Sequence, residues 1–388
     1  MSRPLRFTAL IFVAALSVGT PAAVFAQDDA DSGEEEEAGD WEIYFGGYVR
    51  AQYTAIEDDP DFEQYGRHDG FQISDARLEF SGEYDETVGF DVSVDAGTLR
   101  PSEQAQAAGG EMATRLKDGF LYYKVHPQLR ASAGQFKVPF QLEDLISTSD
   151  MLFVERSVGN RGVRDIEGPN REGLTQDRQV GLRLDSKPYF FGDDEEEAFG
   201  LSYALAATNG VAANEAFNDN DRLAYAGRLD GHWGERLRVG AAAFYNDRTL
   251  GDPPDQVGEE RLGFTSDVLV KMYGVTLLGS ATQVDISPSP EIEAEQDRTA
   301  RSYQAQIAYE VPDIGIQPAY RFANYDPATD QEVEGNVRAY EALTYHTFGL
   351  NYNSPDYPVR VMLNYTLTGE AESDIDNDRL DALVQLSW

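Results

Sequence analysis

The sequence predicts an all-β chain, a transmembrane antiparallel β-barrel of about 16 strands. Three observations predict it. An export signal opens the chain. Apolar and polar residues then alternate at period two over segments about ten residues long. The chain ends on Trp388, in phase with the apolar side of its last segment.

The export signal has three parts. Arg3 and Arg6 give a positive start, Leu10 to Val18 is a short apolar run, and Val24-Phe25-Ala26 sets small residues at the −3 and −1 positions of a cut before Gln27. The run is too short to span a bilayer as a mature helix, so residues 1–26 read as a signal peptide. Residues 27–40 (QDDADSGEEEEAGD) are acidic and lack aromatics. They cannot bury a core and read as a disordered leader. Residues 41–388 are left for the barrel. No later stretch approaches 18 consecutive apolar residues, and the mean hydropathy is −0.47. Both fit a barrel, whose strands need only about 9–11 alternating residues to cross.

Composition excludes several kinds of chemistry. The 388 residues include no cysteine, so disulfides, thiolate metal sites and cysteine nucleophiles are ruled out. A formal charge of −38 repels nucleic acid. His68, His126, His232 and His346 are far apart and share no ligand spacing. Asp374, Asp376 and Asp378 begin like a calcium loop, but Arg379 and Gln385 replace the glycine and glutamate it requires. No nucleophile elbow, P-loop or dinucleotide fingerprint sits in the right setting. No catalytic residue, metal or cofactor is expected.

The strands follow in order. Ile43, Phe45, Val49, Ala51 and Tyr53 oppose Glu42, Tyr44, Tyr48, Arg50 and Gln52. Ala76, Leu78, Phe80 and Tyr84 oppose Asp75, Arg77, Glu79 and Ser81, and Phe90, Val92, Val94 and Ala96 oppose Asp91, Ser93 and Asp95. Leu237, Val239, Ala241, Ala243 and Tyr245 oppose Arg236, Arg238 and Asn246. Val359, Val361, Leu363, Tyr365 and Leu367 oppose Arg360 and Asn364, and Leu380 to Trp388 alternates in the same way. The segments are predicted at 41–54, 70–84, 87–98, 113–125, 128–137, 178–187, 198–208, 220–232, 235–246, 260–272, 273–284, 300–310, 314–325, 342–353, 357–367 and 379–388. Such lengths exceed the roughly 5–6 residues usual in soluble sheets. An even number near sixteen leaves a water-filled lumen. Short turns such as Asp85-Glu86, His126-Pro127 and Gly234-Glu235 fit the periplasmic side, and longer ones fit the outside.

Residues 128–178 stand apart. Gly134-Gln135-Phe136-Lys137-Val138-Pro139-Phe140, then Ser147 to Asp150, then Phe153-Val154-Glu155-Arg156-Ser157 resemble the phosphate-selective porin O and P family. The flanking Asp75-Ala76-Arg77-Leu78 and Asp118-Gly119-Phe120-Leu121-Tyr122-Tyr123 are similar to it as well. The resemblance implies a homotrimer of 16-stranded barrels in the outer membrane of a Gram-negative bacterium. It is embedded in lipid and lipopolysaccharide and assembled by a machinery that reads the terminal aromatic, here Trp388. A loop folds into each lumen, and members that prefer phosphate or polyphosphate line it with arginine and lysine. The matching connection is about 138–177, too long for a simple turn.

That connection and the strand beside it carry Arg156, Arg161, Arg164, Arg171 and Arg178, the candidate anion-binding residues of the constriction. Strand phase adds Arg50, Arg77, Lys124, Arg183, Arg228, Arg238, Arg321, Arg360 and Arg379 to the lumen face. Guanidinium keeps its proton and presents a fork of donors that matches phosphate oxygens. Inward acids are equally plentiful, among them Glu42, Asp75, Glu79, Asp91, Asp95, Asp185, Asp230 and Asp381, with Glu155, Asp165, Glu167, Glu172 and Asp177 beside the loop arginines. The same residues therefore support two readings, a selective filter or a wall braced by ion pairs. The expected function is passive diffusion of small anions, phosphate or polyphosphate among them. The alternatives are a general, weakly selective porin, a surface-exposed structural or adhesive barrel, and a secreted soluble β-rich binding protein.

Overall fold

A computed structural model describes residues 40–388 apart from 62–65, 67–68, 99–111, 165, 193–197, 216, 252–255, 289–296, 330–339 and 374. The expected signal peptide and all but the last residue of the acidic leader lie outside the described residues. The wall is built from β1 (Trp41–Ile56), β2 (Gly70–Tyr84), β3 (Val88–Thr98), β4 (Met112–His126), β5 (Leu129–Lys137), β6 (Arg178–Asp185), β7 (Phe199–Thr208) and β8 (Ala224–Trp233). It continues through β9 (Leu237–Leu250), β10 (Val257–Met272), β11 (Val275–Pro288), β12 (Arg298–Tyr309), β13 (Ile316–Asp326), β14 (Leu343–Asn353), β15 (Val359–Glu370) and β16 (Arg379–Ser387). Each strand pairs antiparallel with its chain neighbours, and β1 pairs with both β2 and β16, which closes the barrel. Closure leaves no row of unpaired backbone groups, the condition for a sheet to stand in lipid.

Strand phase is the predicted one. Leu205, Leu229, Leu363 and Val384 point outward and are exposed, while Arg50, Asp75, Arg77, Asn351, Asn364 and Asp381 point inward and are buried. A soluble sandwich would do the reverse. Exposed Trp41, Tyr44, Phe45, Trp233, Tyr273 and Trp388 ring the end that carries the short turns. Those turns are tight: Asp85 and Glu86 (φ 47° and 51°) and Tyr273 and Gly274 (φ 52° and 77°) take the left-handed conformations that match the strand twist.

Boundaries differ where polarity blurs the pattern. β9, β11 and β15 run on to Leu250, Pro288 and Glu370, past the predicted ends, through polar residues paired in register with their neighbours. β6 stops at Asp185, before Pro188, and Tyr189–Phe190 then pairs separately with β7. The larger departure is inside the barrel. The inward face is not polar throughout. Ala242, Phe244, Val284, Ile286, Ala300, Ala323, Tyr325, Leu343 and Tyr345 on β9 and β11–β14 form a buried apolar cluster with Phe140, Val158, Val163 and Leu174 of the long connection.

Candidate functional site

The connection between β5 and β6 contains α1 (Leu142–Leu145), a 3-10 turn (Thr148–Asp150), α2 (Val158–Arg161) and a two-residue hairpin joining Gly162–Val163 to Arg171–Glu172. Its apolar side chains enter the inward cluster, where Phe140 meets the Phe244 ring edge-on at 4.7 Å. Its polar groups are tied to inward side chains of many strands. Arg50 donates to the Val154 carbonyl at 2.9 Å, Asn364 accepts from the Val154 N–H at 2.7 Å, and Asn351 donates to the Leu152 carbonyl at 2.9 Å. Gln141 donates to Thr282 at 3.1 Å, Arg321 to the Glu155 carbonyl at 2.8 Å, and Tyr325 to the Glu172 carbonyl at 2.7 Å.

Two carboxylates anchor the connection in ways the sequence did not indicate. Glu143, 5% exposed, accepts from the backbone and hydroxyl of Ser157 and from Gln304 and Gln306 at 3.0 Å each. Glu172 is clasped by Arg248 at 2.7 and 2.8 Å and by Arg261 at 2.6 Å. Glu172 is one of the acids named beside the loop arginines, and Glu143 is not among the candidates. Apart from Ser157, their partners lie 76 to 163 positions away, and no local signal joins them.

In the connection, Arg156 donates to the carbonyls of Glu143 and Ile146 and lies 3.8 Å from Asp144. Arg161 meets Glu167 at 2.7 Å, and Arg164 meets Glu155 at 2.6 Å and Glu167 at 3.7 Å. Arg171 donates to the Glu341 carbonyl at 2.7 Å, with that carboxylate 3.6 Å away. Arg178 grips Asp118 through both prongs at 3.0 and 3.1 Å.

On the wall, Arg50 pairs with Asp75 at 3.0 Å, Arg77 with Asp95 at 3.2 Å, and Lys124 with Glu83. Arg183 lies 3.5 Å from Asp185 and over the rings of Phe120 and Phe136. Arg228 joins Asp230 and Asp267, and Arg238 shares Asp230. Arg321 sits 3.6 Å from Glu143 and over Phe153, and Arg379 pairs with Glu167 and Asp381. Every candidate except Arg360 thus has a carboxylate oxygen within 3.8 Å. Arg360 instead donates to the Ser149 carbonyl at 3.2 Å, with Gln317 at 3.5 Å.

Burial raises the carboxyl pKa of Glu167, but the Arg161, Arg379 and Arg164 guanidiniums outweigh it and hold the group at about 2. Partial burial likewise pushes the half-exposed Glu172 up, and Arg261 and Arg248 outweigh it and bring it to about 2. Both carboxylates are therefore charged at neutral pH. Among the described residues no cluster of histidine and carboxylate side chains is arranged to hold a metal, and no helix is long and apolar enough to cross a membrane.

A closed barrel that is apolar outside and charged within is an outer-membrane β-barrel channel. Comparison with known families identifies it further. The model of the phosphate-selective porin O and P family matches residues 43–245, more than half of the chain, and the chain belongs to that family. The fold is shared with an anion-selective porin from Comamonas acidovorans (11% identity, 90% of this chain and 100% of that one, TM-score 0.59). It is shared too with the outer membrane channel DcaP of Acinetobacter baumannii (13%, 92% and 100%, TM-score 0.58). The trimer form of OmpT, an outer membrane protein of Vibrio cholerae, is a third such structure (12%, 90% and 99%, TM-score 0.56). No curated protein matches the sequence significantly. The protein is an outer-membrane porin of a Gram-negative bacterium.

Proposed function

We propose that this porin is a passive diffusion channel, narrowed by segment 138–177, that admits small anions, phosphate among them, with weak selectivity. The observation that carries the reading is charge pairing: the arginines named for a filter nearly all face a carboxylate at 3.8 Å or less. A guanidinium already spent on a carboxylate braces the wall and offers an anion little net field, and a channel without a deep trap releases what it admits. No covalent step is involved.

The test is a planar bilayer. Stepwise conductance with reversal potentials in a KCl gradient establishes the channel and its preference. The double variant Glu155→Gln/Arg164→Gln removes one pair without changing net charge. Phosphate block of the chloride current is expected to stay as in the wild type. Loss of that block would return Arg164 to a filter role. We further propose a homotrimer, supported by the trimer form of the Vibrio cholerae protein. The apolar flank would be held in lipid and lipopolysaccharide, and the barrel-assembly machinery would engage Trp388, whose backbone pairs with Gly47. Cross-linking in native membranes should give a three-chain ladder.

A further inference from the structure

Charge pairing in the lumen has one gap among the candidate residues. Arg360 sits one residue into β15, beside the short turn 354–358 and close to the chain's end, where the Ser387 N–H donates to the Pro358 carbonyl at 3.0 Å. That is the short-turn end, the periplasmic one in an outer-membrane barrel. Its register partner on β16 is Gln385, and the partner of Gln385 on β1 is Arg50, so two guanidinium side chains flank one neutral amide. Arg50 is matched by Asp75, whereas Arg360 has a carbonyl and an amide oxygen in contact, and Asp150 and Glu310 act on it only from beyond contact distance. The Nε of Arg360, the Nε of Arg50 and the Oε1 of Gln385 are buried without a partner.

We infer that Arg360, the one candidate cation with no carboxylate in contact among the described residues, is the residue that sets the charge preference of the channel and favours small inorganic anions from the periplasmic end of the lumen. The inference rests on the channel reading above and adds where its selectivity resides. Two other lumen cations without an ion pair among the described residues do not compete for the role. Lys137 spends its ammonium on the carbonyls of Leu145 and Ile146, at 3.4 and 3.1 Å, at the end of α1. Arg301 lies at the opposite end of the barrel, in register with Asp326 and bonded to Gln283. A lone charge beside a water-filled path raises the local concentration of its counter-ion and lowers that of its co-ion, so removing it moves the permeability ratio twice over.

The experiment is the reversal potential of the full-length porin in a tenfold KCl gradient. Arg360→Gln is expected to lower the chloride-to-potassium permeability ratio by about two- to threefold at low salt, less as salt screens the charge. Arg360→Lys should restore it. Gln385→Glu leaves the arginine in place and sets a carboxylate opposite it across the ladder, and it should lower the ratio by a similar factor. This second variant decides the matter if Arg360→Gln fails to assemble. A ratio equal to the wild type in Gln385→Glu, or in an assembled Arg360→Gln, would overturn the assignment while leaving the channel intact. Absence of any stepwise conductance in the wild type would instead overturn the channel reading, and this assignment with it.

Discussion

Glu143 illustrates how a charge is kept inside this barrel. Its carboxylate is 5% exposed and accepts from Ser157, Gln304 and Gln306, and Arg321 lies 3.6 Å away. Glu143→Ala would leave these donors buried without an acceptor, at a cost of about 3 kcal/mol. Looser tethering of the connection is expected, read as greater open-channel current noise in single-channel records. Glu167 and Glu172 yield a pH prediction. Both are held at about 2, below the ordinary carboxylate value, so the stability they lend the connection is present above pH 4.5. It is lost as pH falls through about 2. Open-channel current noise, the readout of a loosened connection, should therefore not rise between pH 7 and pH 5 on account of these two groups. A rise by pH 5 that Glu167→Gln or Glu172→Gln reproduces at pH 7 would contradict this.

Element by element, the strands follow the period-two rule, while the connection depends on close backbone approach. A Cβ on Gly159, in α2, would fall 1.7 Å from the Ser302 hydroxyl and 2.3 Å from its Cβ on β12. Gly162 takes φ 79° at the start of the short hairpin, and a Cβ there would sit 2.0 Å from the Arg171 carbonyl. Gly159→Val cannot be accommodated without lifting α2 off β12. The expected result is a larger and noisier unitary conductance with the barrel still folded, checked by conductance histograms beside an electrophoretic assay of barrel folding.

Taken whole, the molecule inverts the soluble rule, with Leu205 (53% exposed) and its neighbours outside and ion pairs inside. Leu205→Arg puts a charge on the outward face and is expected to destabilise the barrel by about 2–4 kcal/mol if it lies near the bilayer midplane, measured by denaturant unfolding in lipid vesicles. A change below 0.5 kcal/mol would mean that this face does not meet hydrocarbon. The formal charge of −38 coexists with a lumen whose arginines are nearly all matched by acids, so net charge alone predicts nothing about which ion passes.

Much of this was legible in the residues. Phase pointed to wall arginines such as Arg50, Arg77, Arg228 and Arg379, because a strand that faces lipid on one side must alternate, but it passed over Arg248 and Arg261, which clasp Glu172. The sixteen strands follow from the same rule. The inner apolar cluster was not legible: around Ala242-Ala243-Phe244 both phases are apolar, so alternation cannot tell lipid from a docked segment. Nor was Glu143 as an anchor, whose donors Gln304 and Gln306 lie more than 160 residues away. By itself the sequence determined the class of fold, the strand phases and the family, since each is written in local periodicity or a contiguous motif. Only the tertiary structure decided which carboxylate meets which guanidinium, where the long connection is anchored, and that Arg360 has no carboxylate in contact among the described residues. Those are pairings across the barrel, set by register and closure, and no stretch of chain records them.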